Sequence, residues 1–273
     1  MIQIENIEVY GFGHALRNMR NPKESWDRSD SVIDNGTPWD EYGIKCVEAP
    51  SIGPKDAKLI TDLTRAGSEH RKCLRTIEVW IDIVPWRGMW QEIDTYKIAT
   101  VRNSCSTMHK LGYRDLTPDD FQDEDVDPLC LEKLNELGEK YRKDRDPSTL
   151  MSLKHRLPEG FLQRAGYHFS YETALQIFFQ RRHHRVPEWR FSGTTTAEEA
   201  RRGRWLSFCD MIYRLPFMKE LLEADTRWRG AQAILEKVLE LREQWKAANA
   251  GSVVSPVEAY MIIQLGELLE GKW

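Results

Sequence analysis

Two segments alternate apolar and polar residues with the period of two that is typical of a β-strand. Residues 2–9 form the first, and Gly11 and Gly13 follow it, where the backbone is free to turn. Residues 77–83 form the second, which Pro85 ends. Because apolar and polar side chains of a strand point to opposite sides, the pattern predicts a sheet with unlike faces.

Apolar residues spaced three and four positions apart predict helices over much of the remaining chain. Gly53 and Pro54 begin one that ends at Gly67, because proline suits the first helical turn and glycine suits the position after the last. Thr117 begins another, beside an acidic run that we interpret as a solvated surface rather than a cation site. The other predicted helices are residues 87–102, 129–142, 171–182, 234–245 and 255–268.

Residues 14–51 have no regular pattern. They are rich in Asn, Asp, Gly, Pro and charged residues, so we expect either an ordered binding or lid loop or a disordered segment. Gly11-Phe12-Gly13 is not a complete dinucleotide-binding motif and we expect no clean helix after it, which argues against a Rossmann site.

The predicted fold class is therefore α+β with a helical C-terminal extension. We place the α+β domain at residues 1–217, including the N-terminal strand and the long loop, and the extension at residues 218–273. With 41% hydrophobic and 30% charged residues, the chain of 273 residues has the composition of a water-soluble globular protein. This composition excludes collagen, bulk disorder and a membrane bundle.

Charge and cysteine content exclude several classes of function. The 39 basic and 43 acidic residues give a net charge of −4, which argues against general binding of nucleic acid or an anionic membrane, so an anion site must be local. Five widely spaced cysteines without a C-x-x-C pair indicate reduced thiols rather than a disulfide framework or a metal site. Without a leader or a stretch of about 18 apolar residues, we expect a cytoplasmic protein.

Ten tryptophans require either a well-packed core or flat surfaces on which planar ligands stack. Packing in strands and helices accounts for most of them. The four that we expect to be available for stacking on a ligand are Trp26, Trp39, Trp86 and Trp189.

Residues 86–109 are the most informative stretch, WRGMWQEIDTYKIATVRNSCSTMH. A continuous helix to Asn103 would either line a cleft for a polar ligand or be an ordinary amphipathic surface helix. The many Ser, Thr and Asn residues favour the first interpretation, because they are poor helix formers and are tolerated mainly where they bind something. The polar face of this helix would hold Glu92, Thr95, Tyr96, Ala99, Arg102 and Asn103.

Two other groups have candidate chemistry. Residues 180–185 contain three arginines and two histidines, which either bind phosphate or only complement the dipole at a helix end. Cys105 with His109 is a weaker candidate for a nucleophile and its base, because free cysteines are more often inert.

The order of several motifs resembles the flavin-dependent thymidylate synthases over about residues 55–217. Ser68-Glu69-His70 precedes a strand, Arg87 opens a helix, residues 92–109 follow, and L-x-x-F-x-x-x-R comes later at residues 175–182. The resemblance implies a homotetramer that holds FAD and deoxyuridine monophosphate at subunit junctions. It also implies one-carbon transfer from methylenetetrahydrofolate to a pyrimidine nucleotide.

Positions that match the family's motifs indicate which residues of this sequence correspond to the family's site residues. The resemblance assigns His70, Tyr96, Lys97 and Thr100 to FAD. It assigns Arg87, Glu92, Arg102, Asn103, Ser104, Ser106, His109 and Arg182 to the nucleotide, with Arg102 and Arg182 on its phosphate. No catalytic residue and no metal ligand is assigned.

The signature itself departs from the family pattern. Thr95, Tyr96 and Lys97 stand where the family has Arg-His-Arg. Glu92 stands where the family has glutamine, and because an ionised carboxylate only accepts hydrogen bonds, it favours a base edge rich in donors. The alternative to an enzyme is a nucleotide-binding or interaction protein that keeps the fold without the chemistry.

Overall fold

Strands and helices alternate through the described residues, which are 1–34, 40–123 and 126–228 of a computed structural model. The strands are β1 (Ile2–Tyr10), β2 (Val32–Asp34), β3 (Ile44–Cys46), β4 (Ala49–Ser51), β5 (Glu78–Val84), β6 (Val101–Ser104), β7 (Ala165–Ser170) and β8 (Arg204–Trp205). The helices are α1 (Phe12–Asn18), α2 (Pro54–Ala66), α3 (Arg87–Ile93), α4 (Thr107–Lys110), α5 (Pro128–Asp144), α6 (Pro147–His155), α7 (Tyr171–Arg181), α8 (Ala197–Arg201), α9 (Phe208–Arg214) and α10 (Met218–Ala224). No described helix is long and apolar enough to cross a membrane.

The main sheet has the order β3-β1-β5-β7-β6, and β8 pairs with β1. Only β1 and β3 run parallel. The two predicted strands are confirmed as β1 and β5, which pair with each other in the centre. The other strands except β7 were not predicted because they are too short to give a period of two. In β7 the buried Ala165, Tyr167 and Phe169 do alternate with less apolar residues, and this strand was missed from the sequence.

The main core lies on one face of the sheet. Inward residues of β1, β5 and β7 form a single core with α1, α3, α7, α9 and α10, and Trp189 and Trp205 are fully buried within it. At about 25 cal/mol for each Å² of apolar surface removed from water, this burial is the main stabilising contribution to the fold.

The opposite face of the sheet is not covered by any described helix. A row of neighbouring residues crosses four strands on this side: Glu8, Trp80, His168 and Val101. We call this side of the sheet the open sheet face. The Trp80 ring is 51% exposed and lies 4.4 Å from the His168 ring. His168 Nε2 is in turn 2.5 Å from Glu78 Oε2.

A second, smaller core lies among α5, α6 and the chain before them. It contains Leu111, Leu116, Phe121, Leu134 and Leu153. The helix predicted over residues 129–142 is confirmed as α5, and the Asp127 side chain caps it by accepting a hydrogen bond from the Leu129 amide.

The segment after β1 is more regular than its sequence suggests. The expectation that no clean helix follows Gly11 is wrong, because α1 begins at Phe12. Gly11 has φ 92°, and a Cβ there would lie 2.1 Å from the Thr76 carbonyl oxygen, so only glycine fits at this approach. Two short strands, β2 and β4, pair later in the segment, and Trp39 lies outside the described residues.

The helix predicted to begin at Pro54 and end at Gly67 is confirmed as α2. The helix predicted over residues 171–182 is confirmed as α7. The start of the predicted C-terminal extension, α10, is part of the main core: Met218, Leu221 and Leu222 are fully buried there. The helices predicted over residues 234–245 and 255–268 lie outside the described residues. The division at residue 217 therefore stays a prediction for the segment beyond residue 228.

Candidate functional site

A cleft of about 820 Å³ opens between α1, α2 and the segment that leads into β5. Its apolar lining includes Met19, Leu59 and Leu63. His70, the predicted flavin-site histidine, lines the same cleft and is exposed. The volume lies within the range of roughly 300–1,000 Å³ that is typical of sites for small molecules and cofactors.

Positive charge dominates this cleft. Lys23, Arg28, Lys55 and Lys72 line it, and none of the four forms an ion pair with a described residue. Glu69 is the one carboxylate among the lining residues. We call this feature the cationic cleft. An excess of uncompensated cations beside an apolar wall suits a ligand that has both phosphate groups and rings.

A buried carboxylate fixes one wall of the cationic cleft. Asp56, on α2, is fully buried and accepts hydrogen bonds from Arg20 Nε at 2.7 Å, Ser29 Oγ at 2.6 Å and Ser31 Oγ at 2.7 Å. Burial acts to raise the pKa of Asp56, but the hydrogen bonds from Ser29, Ser31 and Arg20 outweigh it and hold the pKa below its usual value. The loop that carries Lys23 and Arg28 is therefore fastened to α2.

The residue after His70 is a buried anchor. Arg71 donates two hydrogen bonds to the carboxylate of Glu172, at 2.7 and 3.1 Å, and a third to Asp225. Glu172 lies in the first turn of α7. Its neighbour Thr173 donates to the Ile98 carbonyl oxygen at 3.1 Å. Two predicted site segments, one around His70 and one around Tyr96, are thus anchored at consecutive residues of α7.

The predicted helix over residues 87–102 is wrong beyond its second turn. α3 ends at Ile93, and residue 101 already begins β6. Thr95 Oγ1 donates to the Glu92 carbonyl, Thr100 Oγ1 donates to that of Tyr96, and Ala99 has φ 53°. Threonine side chains that bind nearby carbonyls, together with a left-handed residue, interrupt a helix. The predicted polar face therefore does not exist as one surface.

Glu92 and Tyr96 contact Arg181 instead of an open cleft. Arg181 Nη1 donates to Glu92 Oε2 at 2.9 Å, and Arg181 Nε donates to the Tyr96 hydroxyl at 2.9 Å. His184 Nε2 lies 3.0 Å from Arg181 Nη1. Burial raises the pKa of Tyr96, so its hydroxyl stays neutral near pH 7. The hypothesis that Glu92 reads a base edge loses support because its carboxylate already holds a guanidinium.

Sequence reasoning missed Arg181 as a site residue. Its only signal was its place beside Arg182 in the basic run. Consecutive residues at the end of a helix point about 100° apart, so the two arginines serve different surroundings.

Arg182 directly follows α7 and is half-buried. Its guanidinium lies 5.1 Å from the Phe179 ring centroid and 5.4 Å from that of Trp228. Its Nε is buried and has no hydrogen-bond partner among the described residues. Burial and then the charge of Arg227 lower the pKa of Arg182, although arginine remains cationic in proteins. An uncompensated guanidinium of this kind suits an anionic ligand.

The other predicted nucleotide residues are spread over several elements. Arg87 donates to the Leu157 carbonyl at 2.9 Å, and Arg102 pairs with Asp94 at 2.9 Å while covering the Trp90 ring. Asn103 and Ser104 lie on β6, Ser106 precedes α4, and His109 is exposed on α4.

The predicted cofactor residues are not gathered at one place either. His70 lines the cationic cleft, whereas Tyr96 is buried against Arg181 and Thr100 binds the Tyr96 carbonyl. Lys97 is exposed between them in sequence. The structure thus separates one large cleft from the loop at residues 94–100.

One of the four candidate stacking tryptophans, Trp189, is fully buried and therefore not free to bind a ligand. Trp86 is partly buried against the main core. Trp26 is exposed, with its Nε1 donating to Asn21 Oδ1 at 2.7 Å, and Asn21 lines the cationic cleft. Among the three described candidates, Trp26 is therefore the one that we expect to respond to a ligand in that cleft.

No protein-family model and no curated protein matches the sequence. Among the solved structures that are similar in fold are two of the thymidylate synthase ThyX from Helicobacter pylori with FAD and dUMP. They are 13% and 15% identical to this chain, each with a TM-score of 0.53. Each match covers 81% of this chain and 97% of the ThyX chain. At this identity the likeness establishes the fold, which is the ThyX-like α+β fold.

Proposed function

We propose that this chain with a ThyX-like fold is a flavin-dependent, nucleotide-modifying enzyme of the cytoplasm. Its reaction is one-carbon transfer to a pyrimidine nucleotide, with methylenetetrahydrofolate as the donor. The observation that carries this proposal is the cationic cleft with His70 in its lining. FAD has a diphosphate and flat rings, so it requires both cations and an apolar wall.

The residues of the cationic cleft fit FAD. Lys23, Arg28, Lys55 and Lys72 can compensate the charge of the diphosphate, and Leu59 and Leu63 offer an apolar surface to a ring. The ThyX structures that this chain resembles are complexes with FAD and dUMP. Similar fold and suitable side chains together support a cofactor site here.

Bound FAD supplies the hydride chemistry, and the protein supplies binding and orientation. In this proposal the four cations hold the diphosphate, while the His70 imidazole offers a hydrogen bond at the cleft wall. Arg182 holds the phosphate of the nucleotide. Arg102 is a weaker candidate for that role, because Asp94 already compensates its charge.

The second candidate function is a nucleotide-binding protein that has lost the chemistry. The contacts of Glu92 and Tyr96 favour it, because both side chains are held by Arg181 rather than presented to a ligand. This alternative retains the Arg182 site but does not require FAD.

FAD binding distinguishes the two functions. We expect the purified protein to be yellow, or to become so when FAD is added, with flavin absorption bands in the visible spectrum. Replacing both Lys55 and Lys72 by glutamine should weaken FAD binding at least about tenfold, because two cations near the diphosphate are lost. Titration followed by tryptophan fluorescence gives the affinity.

Lys133 and Lys143 provide the matched control. Both are exposed lysines on α5, so replacing both by glutamine changes the net charge equally without touching the cleft. A colourless protein that cannot be reconstituted with FAD would contradict the flavoenzyme proposal and leave the nucleotide-binding alternative.

The open sheet face is our candidate for the contact between subunits of a homo-oligomer, as large as a tetramer by resemblance. It presents the half-exposed Trp80 and the exposed Val101 among charges of both signs, including Glu78 and Arg164. A second copy of the chain can bury the apolar side chains and pair opposite charges. A partner with charges of a single sign would be repelled by the like charges on this face.

Replacing Trp80 by serine is therefore expected to shift the protein from an oligomer to the monomer mass of 32.0 kDa. Size-exclusion chromatography with light scattering measures the change. Leu129 is 70% exposed on α5, and its replacement by serine should leave the mass unchanged. A Trp80→Ser variant with the wild-type oligomeric mass would exclude this face as the interface.

A further inference from the structure

We infer that the segment following α10 completes the phosphate site at Arg182, with Arg227 as the second phosphate-binding arginine and Trp228 as part of its wall. This inference rests on the proposed binding of a pyrimidine nucleoside monophosphate. The sequence resemblance to the flavin-dependent thymidylate synthases ends near residue 217, before these two residues.

Arg182 and Arg227 lie on the same aromatic ring. The guanidinium carbon of Arg182 is 5.1 Å from the Phe179 centroid, and that of Arg227 is 4.1 Å from it. The Trp228 ring lies 5.4 Å from the Arg182 guanidinium. Both cations thus lie against one aromatic side chain. Burial and then the charge of Arg227 lower the pKa of Arg182, because like charges repel when no anion separates them.

The carboxylates nearby do not balance these cations. Asp225 accepts hydrogen bonds from Arg227 Nε at 2.9 Å and Arg227 Nη2 at 2.8 Å, and it also accepts from the buried Arg71. Glu172 binds Arg71 as well. Arg71 and Arg227 therefore use both carboxylates, and Arg182 has no carboxylate partner among the described residues.

A phosphate group would supply the missing negative charge. Guanidinium groups bind phosphate oxygens through paired N–H donors, and no described residue accepts a hydrogen bond from the Arg182 guanidinium. Arg227 is 40% exposed at its side chain and keeps an N–H group, Nη1, that no described residue accepts from. The half-buried Arg182 and the exposed Arg227 can therefore bind one phosphate between them.

Arg71 positions the segment that carries Arg227. Because Asp225 is bound to both Arg71 and Arg227, the backbone after α10 is fixed relative to α7. The packing of Trp228 on Phe178, with ring centroids 6.1 Å apart, holds the same segment from the other side.

The test compares dUMP with deoxyuridine, which lacks the phosphate, on the full-length protein by isothermal titration calorimetry. We expect the Arg227→Gln variant to bind dUMP about tenfold more weakly, while its affinity for deoxyuridine stays at the wild-type value. The Arg227→Lys variant should recover part of the loss, because it keeps the charge but not the paired donors.

Arg202→Gln is the matched control, since Arg202 pairs only with Glu198 on an exposed helix surface. Circular dichroism checks that each variant is folded. Unchanged dUMP affinity in the Arg227→Gln variant would overturn the inference, and so would an equal loss for dUMP and deoxyuridine. Wild-type protein that binds neither compound would instead contradict the proposed function, and the inference with it.

Discussion

Replacing Arg71 by alanine is expected to lower the free energy of unfolding by about 3–5 kcal/mol. The Arg71 side chain is only 7% exposed, and it holds Glu172 and Asp225 at once. Without it, both carboxylates remain in a largely buried place and lose a cationic partner, which is the costly way to break a buried ion pair. The loss should also loosen α7 and the segment after α10.

Urea unfolding followed by circular dichroism measures this effect. Arg65→Ala is the control, because Arg65 pairs with Asp62 on the exposed surface of α2 and the variant should change stability by less than about 1 kcal/mol. An Arg71→Ala variant as stable as the control would show that Arg71 does not anchor these segments.

Replacing Asp56 by asparagine should lower the stability by a similar amount, about 3–5 kcal/mol near neutral pH. The change leaves Arg20, which is 5% exposed, without its negative partner. An amide also has one acceptor oxygen in place of two, so it cannot accept all the bonds from Ser29, Ser31 and the backbone. The loop with Lys23 and Arg28 should become less ordered, and FAD binding should weaken with it.

The pH dependence of stability shows whether the charged form of the Asp56 carboxylate stabilises the fold. The pKa of Asp56 in the folded protein lies below the usual value, so the carboxylate stabilises the fold above about pH 4, the pKa of an aspartate in an unfolded chain. The contribution is lost as the pH falls through the lower, folded pKa. The wild-type protein should therefore lose its advantage over the Asp56→Asn variant on acidification.

Urea unfolding at pH 7 and at pH 3 measures both effects. Asp62→Asn on the same helix serves as the control, because Asp62 is half-exposed and forms only surface ion pairs. A stability difference between wild type and the Asp56→Asn variant that does not shrink at low pH would contradict the role given to the Asp56 charge.

Regular apolar spacing made the main elements of this fold predictable. The strands β1 and β5 and the helices α2, α5 and α7 each have several turns or alternations of the correct period. The predicted helix is wrong after Ile93, although the apolar and polar residues of that segment have helical spacing. Its threonines bind nearby carbonyls instead, and Ala99 has a left-handed conformation. Periodicity does not report such local competition.

The candidate site was predictable only in part. His70 and Arg182 were singled out by resemblance, and both lie where an anionic ligand has room or charge to bind. Lys23 and Arg28 come from a segment with no regular pattern, and only the contacts of Asp56 bring that segment to the cleft. Pairing of Glu92 with Arg181, 89 positions apart, depends on tertiary packing that no local motif records.

The pairing of β1 with β8 constrains the order in which the chain can fold. Ile2 is the register partner of Trp205, so this end of β1 meets its neighbour only after residue 205 has been synthesised. Until then, the end of β1 near Ile2 presents unpaired backbone groups to other chains. Contacts between such distant positions close late and slow folding. Until residue 205 has left the ribosome, this end of β1 is therefore a place where a nascent chain of this protein can pair with another chain.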